Sequence, residues 1–111
     1  MLNYYFFLLL GISIFGINQV TAQTGITTIT GKIVEDSNGG PIEFATVLVG
    51  NSADQKPIVG TTTIEDGSFV LETSAADFYI EVSFIGFTTK RFDEPNIVNG
   101  KINLGTVSIS E

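Results

Sequence analysis

Apolar and polar residues alternate in short runs along most of this chain. Between Ile29 and Glu35, Ile29, Gly31 and Ile33 share one face and Thr30, Lys32 and Val34 the other. A period of two residues is the mark of a β-strand. Asp36 to Pro41 is a loop by composition. Ile42 to Val49 is a second strand, with Ala45, Val47 and Val49 on one face and Phe44, Thr46 and Leu48 on the other. Both faces are largely apolar, which predicts a central strand covered on both sides. Gly50 to Lys56 is polar and turn-rich, and Pro57 restarts the chain.

Gly60 to Thr73 reads as a β-hairpin closed by Asp66-Gly67, a dipeptide suited to the type I′ turn. In that register Glu65 faces Ser68, Ile64 faces Phe69, Thr63 faces Val70 and Thr62 faces Leu71. Ile64, Phe69 and Leu71 then point to the core. Ser74 to Asp77 is the next connection. From Phe78 to Phe84 the set Phe78, Ile80, Val82 and Phe84 opposes Tyr79, Glu81 and Ser83. Gly86 interrupts the run, as a bulge or bend does. Phe87 to Phe92 is a short strand with Lys90 and Arg91, Asp93 to Asn96 a loop, and Lys101 to Ile109 a last strand. In that last strand the phase shifts at Gly105-Thr106, which predicts a bulge. About seven short strands with turn signals every 8–12 residues, and no helical periodicity after residue 22, predict a small antiparallel sandwich.

The first residues differ. The apolar run from Tyr4 to Ile17 has the length of a signal-peptide h-region, and Val20-Thr21-Ala22 places small residues before a cleavage site at Gln23. Residues 1–22 are therefore expected to be a cleaved signal peptide, residues 23–27 a lead-in, and residues 28–110 the folded domain.

Composition narrows the chemistry. The chain of 111 residues has no His and no Cys. Ser-His triads, Cys nucleophiles, disulfides and the common zinc sites have no residues to use, so no enzyme activity is expected. Five Lys/Arg against twelve Asp/Glu leave a net charge of −7. Phosphate backbones and anionic lipid surfaces are repelled, so no nucleic-acid partner and no membrane insertion of the mature domain are expected. Glu65, Asp66 and Asp54 raise the question of Ca²⁺, but EF-hand spacing is absent and turn chemistry accounts for Asp66. No metal and no cofactor are expected. Lys32, Glu81 and Asn103 have the residue types of an intramolecular cross-link. All three stand opposite their strands' apolar sets, where solvated faces are expected.

The ordered series TGKIVED, GGPIEFATVLV, GTTTIEDGSFVL and FYIEVSFIGFTTKRF resembles the carboxypeptidase regulatory-like domain. Its marks are Gly31, Pro41 before Ala45-Thr46-Val47, Thr63 leading to Asp66-Gly67 and Phe69, and Ser83 to Phe87 around Gly86. The resemblance implies a seven-stranded, prealbumin-like (transthyretin-like) Greek-key sandwich. It also implies an accessory role. Such domains occur behind a signal peptide at the N-terminus of TonB-dependent outer-membrane receptors, on the periplasmic side, ahead of a plug and a barrel. This sequence ends at Glu111 without plug or barrel, so a partial receptor or a stand-alone domain is expected.

Apolar residues on both sides of Gly86 suggest an edge that docks a protein partner, such as a receptor plug. Ile85 and Phe87 form its centre, and Tyr79, Lys90 and Arg91 its rim. Asp66, Gly67 and Gly86 are assigned structural turns. The leading functional expectation is a non-catalytic periplasmic module acting by protein–protein contact. The alternative is a secreted binding or adhesion domain, with glycans as one ligand class.

Overall fold

Alternation does build strands in the computed structural model, which describes residues 25–111. They are β1 (Thr27–Glu35), β2 (Thr46–Asn51), β3 (Pro57–Thr62), β4 (Ser68–Thr73), β5 (Phe78–Ser83), β6 (Lys90–Phe92) and β7 (Lys101–Ile109). No helix forms among the described residues. The expected signal peptide lies outside them.

The strands form two sheets, one ordered β4-β1-β7 and the other β3-β2-β5-β6. The apolar sets meet between them: Ile29 and Ile33, Val47 and Val49, Phe69 and Leu71, Ile80 and Val82, Ile102, Val107 and Ile109. This is the sandwich that the strand spacing predicts, in the prealbumin-like form that the resemblance implies. One pairing departs from the antiparallel expectation, because β1 runs parallel to β7. Two residues of β7, Leu104 and Gly105, have no partner where the register jumps opposite Gly31. That jump is the bulge anticipated at Gly105-Thr106.

The expected hairpin does not form. β3 pairs with β2 and β4 pairs with β1, so the two arms belong to different sheets. The reversal itself is real but one residue wider than the type I′ register. The Gly67 N–H donates to the Ile64 carbonyl at 2.9 Å, and the Ile64 N–H to the Ser68 carbonyl at 3.0 Å. Gly67 has φ +84° while Asp66 has no positive φ, so a three-residue loop Glu65-Asp66-Gly67 with a left-handed glycine replaces the I′ turn. Beyond Ile64 the strands part. The Thr63 N–H donates to the Ala45 carbonyl, whereas Ser68 sits opposite Lys32 of β1.

The second predicted strand is also shorter at its start. Ile42 to Ala45 is loop, and Phe44 takes φ +65°. That left-handed residue breaks the alternation and turns the phenyl ring outward. On the outer face of β2, Thr46 is exposed, Leu48 half-buried and Gly50 buried, so that face is only partly covered. Strand β6 covers only Lys90–Phe92. Phe84 to Phe87 is instead a turn, in which the Phe87 N–H donates to the Phe84 carbonyl at 2.9 Å. Gly86 has φ +86° there, the geometry a type II turn needs at its third residue. Val34, placed on the outward face by parity, is buried where the chain folds back and Pro41 bridges to it.

Candidate docking surface

The strand directions collect three connections at one end of the sandwich. These are the β1–β2 loop, the β3–β4 turn and the β5–β6 turn. Backbone bonds tie the first two together and the third to the end of β7. Ile33 N–H donates to the Gly67 carbonyl, Phe44 N–H to the Thr63 carbonyl, and Thr88 N–H to the Ser110 carbonyl.

Thr63 is the keystone of this end. It is 1 % exposed. Its hydroxyl donates to the Ile42 carbonyl at 2.6 Å and accepts from the Ala45 N–H at 2.9 Å. With its own N–H and carbonyl bonded to Ala45 and Phe44, it holds the Ile42–Ala45 loop from both sides. The side chain the loop presents, Phe44, is 67 % exposed. A left-handed backbone costs a non-glycine residue about 1–2 kcal/mol, so these buried hydrogen bonds hold an aromatic ring in solvent against its backbone preference.

Ile64 and Ile85 join it, at 62 % and 87 % exposed. Phe44 lines two shallow grooves. One, of about 530 Å³, runs between Phe44 and Ile64 and is bordered by Glu43, Glu65 and Asp66. The other runs between Phe44 and Ile85 and includes Thr46, Ser83 and Phe84. Together they make one apolar strip across the end of the four-stranded sheet. An apolar cluster in water is the surface feature that most often marks a contact site.

Asp66 borders this strip but is committed to its turn. One carboxylate oxygen accepts the Ser68 hydroxyl at 2.6 Å and the Ser68 N–H at 3.0 Å. These bonds, the hydroxyl first, hold its carboxyl below the usual aspartate range.

The residues expected to form one docking edge are separated. Ile85 stands at the tip of the apolar strip. Phe87 is half-buried and packs on the core, with its ring 5.6 Å from that of Phe84. The Lys90 ammonium reaches across to the Ser108 carbonyl of β7 at 3.3 Å. Tyr79 is 4 % exposed although it points away from the core. Its cross-strand partner is Gly50, which leaves room for the phenol ring to lie flat, and the Arg91 guanidinium stacks over the ring at 3.7 Å. Arg91 is itself bonded to Asp93 at 2.6 Å and to the Gln55 side chain at 2.7 Å. Tyr79 and Arg91 thus lock the β2–β3 loop near the opposite end and offer no open stacking face. The groove beside them, about 700 Å³ between Ser52, Asp77, Phe78 and Glu94, has its arginine already paired. Lys32 and Asn103 share the outer face of the three-stranded sheet, while Glu81 lies on the other sheet, so the cross-link constellation is not assembled.

Sequence reasoning missed Phe44 and Ile64. Parity places Phe44 in a strand, and the hairpin register places Ile64 at a core-facing position. Glu43 and Pro41 around Phe44 were the available signal that the strand starts later.

Comparison with known proteins agrees with the architecture. The family described as carboxypeptidase regulatory-like domain matches residues 28–108. No curated protein matches the chain. Among solved structures it is similar to a 3-chlorocatechol 1,2-dioxygenase from Rhodococcus opacus 1CP, with TM-score 0.57, 8% identity, and 84% of this chain against 62% of that one. A 9R-lipoxygenase from Cyanothece PCC8801 matches with TM-score 0.55 and 14% identity over 82% of this chain and 18% of that one. A 5-hydroxyisourate hydrolase from Klebsiella pneumoniae matches with TM-score 0.51 and 17% identity over 74% of this chain and 90% of that one. The chain therefore spans less than two thirds of the lipoxygenase and of the dioxygenase. At these identities the likeness is one of fold.

Proposed function

This chain belongs to the carboxypeptidase regulatory-like domain family, and we propose that it is a non-catalytic module working by protein–protein contact. Its place is the periplasmic face of the outer membrane, as the N-terminal extension or a partial copy of a TonB-dependent receptor. The observation that carries the contact role is the apolar strip Phe44, Ile64 and Ile85, gathered at one end and exposed. A fold this small gains nothing in stability from three large apolar groups in water, and the loop that carries Phe44 is held by buried hydrogen bonds. The absence of His and Cys from the sequence supports the non-catalytic reading. The apolar segment before Gln23 supports export.

The test is photo-cross-linking in the living cell. A photoreactive phenylalanine replaces Ile85, and adducts are identified by mass spectrometry. The expected result is an adduct with the plug of a TonB-dependent receptor, on a protein whose N-terminus is Gln23. A folded protein that gives no receptor adduct overturns the receptor role, and an N-terminus at Met1 overturns processing.

A further inference from the structure

We propose that the groove between Phe44 and Ile64 receives an extended peptide segment in which large apolar side chains are flanked by Lys or Arg. This deepens the contact role above and rests on it. Two features of the groove select that occupant. Its walls are apolar, from Phe44 and Ile64, over a floor formed by Thr62 and Thr63. Its border carries Glu43, Glu65 and Asp66, and no Lys or Arg lines it. Lys32 acts on Asp66 from β1 without lining the groove. Opposite charge across an interface sets partner choice and speeds encounter.

The other occupants fit less well. A second copy seated through the same end brings Glu43 and Glu65 toward their own equivalents, and like charges so placed repel. Anionic lipid and nucleic acid meet the same acidic border and a chain of net charge −7. A basic, apolar segment satisfies both the walls and the border.

Phe44 makes the groove ready for use. Its ring is the central anchor, and Thr63 fixes the loop beneath it through the Ile42 carbonyl and the Ala45 N–H. An anchor held in place before binding loses little conformational freedom on contact, which favours affinity from a small area.

The test uses the protein purified from the cells that export it and fluorescein-labelled peptides read by anisotropy. The probe is Gly-Ser-Lys-Leu-Lys-Phe-Lys-Ser-Gly. One control replaces each Lys by Glu, and a second replaces Leu and Phe by Ala. The basic, apolar probe is expected to bind about ten-fold more tightly than either control. Its affinity should fall several-fold as salt rises from about 50 to about 300 mM, because the carboxylates are exposed and screened. Glu43→Gln with Glu65→Gln should weaken the probe about five-fold without moving the melting temperature. Phe44→Gly should abolish the preference over the control in which Leu and Phe are replaced by Ala. Equal binding of the three peptides, no binding of the probe, or an unchanged preference in Phe44→Gly each overturns the proposal. A receptor adduct from position 85 without peptide selectivity sinks this inference and leaves the contact role standing. Peptide selectivity without a receptor adduct upholds this inference and the contact role, and overturns the receptor as the partner.

Discussion

The hydroxyl of Thr63 donates to the carbonyl of Ile42 at 2.6 Å, across 21 residues of sequence and inside the core boundary. Because the same oxygen accepts the Ala45 N–H, one side chain completes the closure of a loop that the Thr63 backbone holds through Phe44 and Ala45. Thr63→Val keeps the shape and removes both bonds. It leaves a carbonyl and an N–H buried without partners, so urea unfolding should show a loss of about 2–4 kcal/mol. Thr63→Ser keeps the hydroxyl and should lose only about 1 kcal/mol. Equal losses for the two variants rule out the clamp.

Phe44 gives the opposite sign. Glycine at this position relieves the left-handed backbone and removes a ring that is mostly in water. After the entropy of glycine is subtracted, Phe44→Gly should raise stability by about 0.5–1 kcal/mol. A core aromatic loses several kcal/mol on truncation, so a destabilised variant shows that the ring is packed in solution.

Gly67 is bound by both backbone angle and space. With φ +84°, a Cβ on it collides with the Ile33 carbonyl, and that carbonyl accepts the Ile42 N–H. Gly67→Ala should cost at least about 3 kcal/mol and Gly67→Val should unfold the domain. Gly39 is the control, since it has φ +73° and open space around it. Gly39→Ala should cost about 1–2 kcal/mol. Denaturant midpoints that fall together for Gly67→Ala and Gly39→Ala contradict the crowding argument.

Tyr79 depends on the residue across the strand. A Cβ on Gly50 runs into the phenol ring, so Gly50→Ala should displace the ring from beneath Arg91 and cost about 2 kcal/mol or more. Arg91→Ala removes the stack together with the exposed bonds to Asp93 and Gln55 and should cost about 1–1.5 kcal/mol. Calorimetry of the two variants checks the order, and a larger loss from Arg91→Ala overturns it.

Asp66 ties the turn to acid stability. Its carboxyl is held below the usual range, first by the Ser68 hydroxyl and then by the Ser68 N–H. A lowered folded value means the contribution is complete above the ordinary aspartate value of about 3.9 and fades as pH falls through the folded value. The melting-temperature gap between the protein and Asp66→Asn should be full near pH ~6 and shrink as pH falls through the lowered folded value. A gap that persists at low pH means that the charge is not what stabilises the turn.

Most of the core and most of the turns were legible from local pattern alone. Ile29, Ile33, Val47, Val49, Ile80 and Val82 were legible because a period of two divides a strand into an apolar and a polar face. The bulge at Gly105 and the reversal at Asp66-Gly67 were legible for equally local reasons, phase and turn chemistry. Pairing was not. Alternation says which face is apolar and nothing about which strand lies alongside, so the arms on either side of Asp66-Gly67 suited one hairpin or two sheets equally well. Hydrogen bonds from Thr63 to Ala45 and from Ile33 to Gly67 decided for two sheets. The parallel β1–β7 pair was hidden in the same way. Exposure near strand ends likewise followed from tertiary contacts. Phe44 and Ile64 are outside because their loops are held from residues far along the chain, and Tyr79 is covered because Gly50 and Arg91 enclose it from neighbouring strands. Local pattern sets a residue's face, but only the packed sheets decide whether that face is covered.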